Sequence, residues 1–180
     1  MRKLLILLMC ALLLAGCAGT KGPITIENPV DLRTVELDVS GYEFLDDPEP
    51  AFIETTMSES IRMFEEGGTG ILYYGYPHCY WCNRGIPVAN EVFKEYGITA
   101  YYIDVYYEEV FDETSYRTLC DYLKIDDMFV PFFAVVKEGK LLGSHVALVE
   151  SYDNTKQDQM TDEQREELKS IYSNLIEELR

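Results

Sequence analysis

Apolar positions recur along the chain at two periods and divide it into alternating strands and helices. Gly70-Ile71-Leu72-Tyr73-Tyr74 is a short, unbroken apolar and aromatic run, the pattern of a buried strand. After Asn83 the period lengthens: Ile86, Ala89, Val92, Phe93 and Tyr96 fall at helical spacing, and Gly97 stands where a helix should stop. Thr99 to Val105, aromatic and β-branched, predicts a central strand. Tyr116, Leu119, Cys120 and Leu123 share one face of a further helix. Phe132 to Val136 and Leu141 to Val146, joined through Lys137-Glu138-Gly139-Lys140, predict a hairpin. A long acidic helix closes the chain, with Thr161 and Gln164 as a capping box and Leu168, Ile171, Tyr172, Leu175, Ile176 and Leu179 as one stripe.

The first third is less regular. Arg33 to Val39 alternates and predicts an added strand, and Asp46-Asp47-Pro48-Glu49-Pro50 then breaks the chain. From Ala51 to Phe64, Ile53, Met57, Ile61 and Phe64 fall on one helical face, with Thr56 and Glu59 spaced as a capping box inside the stretch. Tyr106 to Ser115 reads as an acidic, aromatic loop, and Ser151 to Met160 as a polar, mobile one. Strand, helix, strand, helix, hairpin, helix is an α/β order: a central mixed β-sheet flanked by helices, with no internal repeat or second domain.

The start of the chain has another purpose. Met1-Arg2-Lys3 is basic, Leu4 to Leu14 is apolar and too short to span a bilayer, and Leu14-Ala15-Gly16-Cys17 ends the run. That is an export signal over residues 1–16, and its last four residues look like a bacterial lipobox, in which Cys17 is lipidated and becomes the new N-terminus. An ordinary signal peptide with an incidental cysteine is the plainer reading. Acyl chains on Cys17 predict an extracytoplasmic, membrane-anchored lipoprotein of the bacterial cell envelope. Residues 17–47 then form a tether, flexible from Ala18 to Pro23, and an N-terminal extension; residues 48–180 form the folded domain.

The chemistry lies between the first apolar strand and the helix after it, in Gly75-Tyr76-Pro77-His78-Cys79-Tyr80-Trp81-Cys82. Cys79 falls near a helix N-terminus, where unpaired amides and the helix dipole favour a thiolate. Cys82 is placed to attack any mixed disulfide that Cys79 forms. A static disulfide is the plainer alternative, although a staple across so short a loop removes little chain entropy. Zinc needs about four ligands, and with only His78 and His145 available no structural zinc site is expected. Copper handling through Cys79, Cys82 and His78 is a further alternative, because soft thiolates suit Cu(I). His78, when protonated, would tune the Cys79 pKa downward; an exposed loop histidine is the plain reading. Tyr76, Tyr80 and Trp81 offer an apolar landing surface for a peptide, whereas Tyr73 and Tyr74 read as strand packing. Cys120 reads as an unreactive core thiol, and Cys10 lies in the signal segment.

With Cys79-Tyr80-Trp81-Cys82 after a strand, Pro87 five residues beyond Cys82, and Pro131 in Met128-Phe129-Val130-Pro131-Phe132-Phe133, the chain resembles the thioredoxin superfamily over roughly residues 48 to 180. Within it, Tyr74-Gly75-Tyr76-Pro77-His78-Cys79 and the long acidic C-terminal helix are similar to thioredoxin-like bacterial lipoproteins, including bacteriocin transport accessory proteins. The resemblance implies a helix-kinking Pro87 and a cis Val130–Pro131 bond facing the cysteines. It also implies that the backbone of Val130 pairs with a substrate peptide, and that the proline keeps metals from bridging the pair. One departure stands out: thioredoxins carry a buried acid in the strand before the motif, and Tyr73 occupies that place here.

Charge and composition narrow the function. A formal charge of −17 opposes nucleic-acid binding, and loss of residues 1–16 deepens it by removing Arg2 and Lys3. Hydrophobic residues make up 47% of the chain, enough for a real core. The expectation is a thiol–disulfide oxidoreductase in which Cys79 attacks, Cys82 resolves, and Val130 and Pro131 hold exported proteins or peptides. It needs a redox partner for recycling, and no cofactor. A non-catalytic accessory lipoprotein that binds an exported peptide or a transporter is the alternative from another class.

Overall fold

The structure, a computed structural model, describes residues 22–106 and 112–180. The signal segment 1–16, Cys10, Cys17, the start of the tether and the middle of the acidic loop lie outside the described residues. The elements are β1 (Val35–Glu36), β2 (Phe52–Thr55), α1 (Met57–Glu65), β3 (Gly70–Gly75), α2 (Tyr80–Tyr96), β4 (Ala100–Asp104), α3 (Glu113–Leu123), β5 (Phe132–Lys137), β6 (Lys140–Val146) and α4 (Asp162–Glu177). The strands form one mixed sheet in the order β1-β2-β4-β3-β5-β6.

The connections explain the layers. β2, β4 and β3 are parallel, so helices must carry the chain between them. From β2 the chain crosses β4 to reach β3 through α1, then reverses direction to reach β4 through α2. Right-handed crossovers made in opposite directions put α1 and α2 on opposite faces. α3 joins α1, and α4 joins α2. The antiparallel β5–β6 hairpin turns at Glu138 and Gly139, both left-handed at φ 51° and 71°, as a tight two-residue turn requires. The whole is the thioredoxin arrangement, an α/β fold with a mixed sheet, a long C-terminal helix and β1 added at one edge.

Strand alternation sorts the core into two layers. Ile71, Tyr73, Tyr102, Phe133 and Val135 face α2 and α4, meeting Ile86, Val92, Phe93, Leu168, Tyr172 and Ile176. Leu72, Tyr74, Ile103, Ala134 and Val136 face α1 and α3, meeting Met63, Phe64, Leu119 and Leu123. α4 starts with the expected Thr161–Gln164 capping box, and α2 ends at Gly97 in the left-handed conformation.

Three expectations need correction. The run Ala51 to Phe64 is not one helical stretch: Phe52–Thr55 is a strand, and α1 begins only after Thr56, whose hydroxyl accepts the Glu59 N–H. The strand and helix patterns merge because both leave Ile53 and Met57 apolar. The stretch Ser151 to Met160 is pinned rather than loose, since Tyr152 and Met160 are buried and the Asp158 carbonyl accepts from Tyr152 at 2.8 Å and from Arg84. The added strand between Arg33 and Val39 is real but has only two residues. From Ile24 to Leu45 the N-terminal extension packs against the domain: Ile24, Leu37, Tyr42 and Leu45 join one core layer, and Val30 and Leu32 the other.

Candidate redox site

β3 is an interior strand, and the chain leaves its carboxyl end through Tyr76, Pro77 and His78 before entering α2. Cys79 is the N-cap of α2, with extended backbone, and its sulfur accepts the Cys82 N–H at 3.1 Å. A sulfur in that place does what a Ser or Asp oxygen does at other helices: it satisfies an amide with no partner inside the helix. The thiols of Cys79 and Cys82 are free. A hydrogen bond from the Cys82 thiol, helped by the amides of Cys82 and Trp81, overcomes burial and lowers the Cys79 pKa to about 7. Cys82 is fully buried, and that burial, with the neighbouring Cys79 charge, drives its pKa far up. The two sulfurs are thus opposites although both are buried: Cys79, at 6% exposure, is prone to ionise, and Cys82, wholly enclosed, stays protonated. His78 is exposed, and the interactions that lower the Cys79 pKa come from Cys82 and Trp81 rather than from it.

The Val130–Pro131 bond is cis. This turn faces the cysteines: the Val130 carbonyl accepts from Cys79 Sγ at 3.8 Å, and the Pro131 ring lies over Gly85, where a Cβ would come within 3.1 Å of it. Gly85 thus permits the close approach of helix and turn. Pro87 lies inside α2, which continues to Tyr96.

Aromatic side chains frame Cys79. Tyr76 stacks on Tyr106 at 5.4 Å, and Trp81 meets Tyr80 and Tyr152 edge-on. Phe129, just before the cis turn, is 69% exposed. Tyr106 and Phe129 extend the surface predicted from Tyr76, Tyr80 and Trp81, and nothing near the cysteines in sequence marks them. Tyr80 also has a structural role, because the buried Arg84 guanidinium lies 3.5 Å from its ring centre and donates to the Tyr80 carbonyl at 2.9 Å. On the far side of His78, an open cleft of about 360 Å³ runs between the extension and α2, lined by Gly41, Glu43, Pro77, His78, Asn83 and Arg84.

Asn83 is a site residue that sequence reasoning missed. Its carboxamide oxygen accepts the Glu43 N–H at 2.7 Å, and its amide group donates to the carbonyls of Pro77 and Cys79. Tyr73, in the strand before the motif, is fully buried, and its hydroxyl has no hydrogen-bond partner among the described residues. Cys120 is buried on α3, and burial raises its pKa, as suits a core thiol. Among the described residues, no three His, Cys, Asp or Glu side chains are grouped to hold a metal ion, and no helix is long and apolar enough to cross a membrane.

No family model matches the chain. No curated protein matches it either. Among solved structures it is similar to the oxidised thioredoxin from Plasmodium falciparum, at 18% identity and a TM-score of 0.38, covering 64% of this chain and 91% of that one.

Proposed function

We propose that the protein is a membrane-anchored, extracytoplasmic thiol–disulfide oxidoreductase acting on exported proteins or peptides. The observation that carries the reading is the division between Cys79, at a helix N-cap with a lowered pKa, and Cys82, buried with a raised one. Nucleophilic thiols are thiolates, and resolving thiols wait protonated until a mixed disulfide presents itself.

The Cys79 thiolate attacks one sulfur of a substrate disulfide. A Cys79–substrate disulfide forms, the substrate S–S bond breaks, and the other substrate sulfur leaves as a thiolate. Cys82 then loses its proton and attacks Cys79 Sγ, releasing the second substrate thiolate and leaving a Cys79–Cys82 disulfide. Two electrons pass from the protein dithiol to the substrate, and a second dithiol partner must return them. Run backwards, the same steps oxidise a substrate dithiol. Val130 and cis-Pro131 lie where an extended peptide can pair its backbone beside Cys79, and Tyr76, Trp81 and Phe129 give it an apolar bed. Lipid on Cys17 would hold the domain at the membrane surface, with the acidic chain excluding nucleic acid as a partner.

Turbidity from insulin reduction, driven by dithiothreitol, tests the chemistry: wild type accelerates it and Cys79→Ser does not. Equal rates for the two would favour a binding protein whose cysteines do not turn over. Mass spectrometry of the membrane fraction tests the anchor; the expected N-terminus is lipidated Cys17, and an unmodified N-terminus elsewhere overturns it.

A further inference from the structure

Cys82 must lose a proton inside the protein before it can resolve a mixed disulfide, and nothing in the steps above takes that proton. We propose that Tyr42 and Tyr102 relay it, so that the N-terminal extension completes the redox site. The inference rests on the oxidoreductase reading.

Tyr42 belongs to the extension, is buried, and its hydroxyl lies 2.6 Å from that of Tyr102 on β4. Gly75, at the end of β3, is the point where this pair and Cys82 converge. A Cβ at Gly75 would stand 3.4 Å from both Cys82 Sγ and the Tyr42 hydroxyl, so the two are never farther apart than twice that distance. No hydrogen bond joins the two directly, and the span suits a single water bridge. A hydroxyl carries one donor and two acceptor sites, so Tyr42 can accept from a water that bridges to Cys82 while donating to Tyr102.

Carboxylates lie near the outer end of the pair. β2 and β4 are paired with Glu54 beside Tyr102, so both side chains leave the sheet on one face, shared by Asp104 two residues on. Burial first, then the charges of Asp104 and Asp38, raise the Glu54 pKa, which favours proton uptake there. Facing Cys82 and the pair are therefore Cys79 from the start of α2, Tyr76 from the loop before it, Tyr73 from β3, Asp104 from β4, Glu54 from β2 and Tyr172 from α4, with Asp38 of the extension near Glu54. Tyr73 also stands beside Cys82, but its hydroxyl has no hydrogen-bond partner among the described residues to which it could pass a proton, and Tyr172 stacks on Phe133.

In the resolving step the Cys82 proton moves through the bridging water to the Tyr42 oxygen, the Tyr42 proton to the Tyr102 oxygen, and the Tyr102 proton to the Glu54 carboxylate and on to solvent. The Cys82 thiolate attacks Cys79 Sγ and forms the Cys79–Cys82 bond. The Cys79–substrate bond breaks, and its electron pair leaves with the substrate sulfur, which takes a proton from solvent. Each phenol gains a proton as it gives one, consistent with burial having driven both phenol pKa values up.

Dithiobis-nitrobenzoate tests this on the reduced protein by stopped flow, because one coloured thiolate is released when Cys79 attacks and a second when Cys82 resolves. Tyr42→Phe should leave the first phase unchanged and slow the second by about tenfold or more at neutral pH. The second phase should also steepen with pH, as hydroxide replaces the relay. Tyr102→Phe should act in the same direction, and it carries the test if Tyr42→Phe fails to fold. Tyr73→Phe should leave the pH profile of the second phase as in wild type. A second phase in both Tyr42→Phe and Tyr102→Phe with wild-type rate and pH slope overturns the relay, as does equal slowing of both phases. A wild-type protein lacking the second phase overturns the oxidoreductase reading itself.

Discussion

Asn83 grips Glu43: its side-chain oxygen accepts the Glu43 N–H at 2.7 Å, while the same carboxamide holds the carbonyls of Pro77 and Cys79. One buried side chain therefore fixes the extension against the loop that presents the nucleophile. Asn83→Ala strands the Glu43 N–H and the Pro77 carbonyl, while the Cys79 carbonyl keeps the Asn83 backbone N–H, and should cost about 2 kcal/mol in urea denaturation. It should also hasten proteolytic cutting between residues 37 and 47, while Asn83→Ala with wild-type cutting and midpoint would show that the grip is idle.

The reactivity of Cys79 should follow a thiolate that titrates near 7. Iodoacetamide labelling at Cys79 should rise through that pH and level off above it. Cys82→Ala removes the strongest stabilising hydrogen bond and should move the midpoint upward, though still below a free thiol because the helix amides remain. An unmoved midpoint would assign the shift to the helix alone.

The same pKa values make the reduced protein's stability depend on pH. Cys79 ionises more readily folded than unfolded, so its contribution appears as pH rises from about 7 and is complete above the ordinary thiol value of 9.0. Cys82 behaves oppositely: it keeps its proton when folded, and stability falls once pH exceeds that ordinary value. Reduced protein should therefore gain stability on going from pH 7 to 8.5 and lose it beyond 9.5, with the Cys82→Ala variant showing a smaller gain and a smaller loss, the latter left to the buried tyrosines. Melting curves across that range decide the matter.

Tyr73→Phe removes a buried hydroxyl that has no partner among the described residues. The ring keeps its packing against Phe52 and Tyr102. The variant should be as stable as wild type or more so, by up to about 1–2 kcal/mol. A clear loss of stability in denaturant titration would mean the hydroxyl is bonded in solution.

Glu59 is a fully buried carboxylate that accepts from the Arg33 backbone and side chain and from Arg62. Burial opposes its ionisation, but those hydrogen bonds prevail and hold its pKa below the ordinary 4.5. Its stabilisation is present above that value and lost as pH falls through the lower, folded one. Glu59→Gln should cost about 2 kcal/mol at pH 7, with Arg33 largely solvent-exposed, and the gap from wild type should close towards pH 3. A gap independent of pH would point to packing rather than charge.

What could be read from the sequence was what neighbours in sequence decide. The Thr161–Gln164 cap, the Gly97 stop and the Glu138-Gly139 turn each depend on residues within a few positions, and all three formed as expected. Cys79 at a helix start was legible for the same reason. β2 was hidden because four strand residues run directly into the α1 cap. The partnerships of Tyr42 with Tyr102 and of Arg84 with Asp158 span 60 and 74 residues, and the composition of either segment gives no sign of them. Pro131 became informative through the resemblance, since a proline at a strand start is otherwise ordinary.

Because the Cys79 sulfur also caps α2, each electron pair that enters or leaves changes a mechanical joint. A thiolate accepts the Cys82 amide strongly, whereas a disulfide sulfur carries no charge and accepts weakly. Oxidation therefore slackens the first turn of the helix and reduction tightens it. Trp81, the chain's one tryptophan, rides on that turn. The protein carries its own optical gauge of how full it is. A partner that grips the slackened turn could tell spent molecules from charged ones without touching either sulfur.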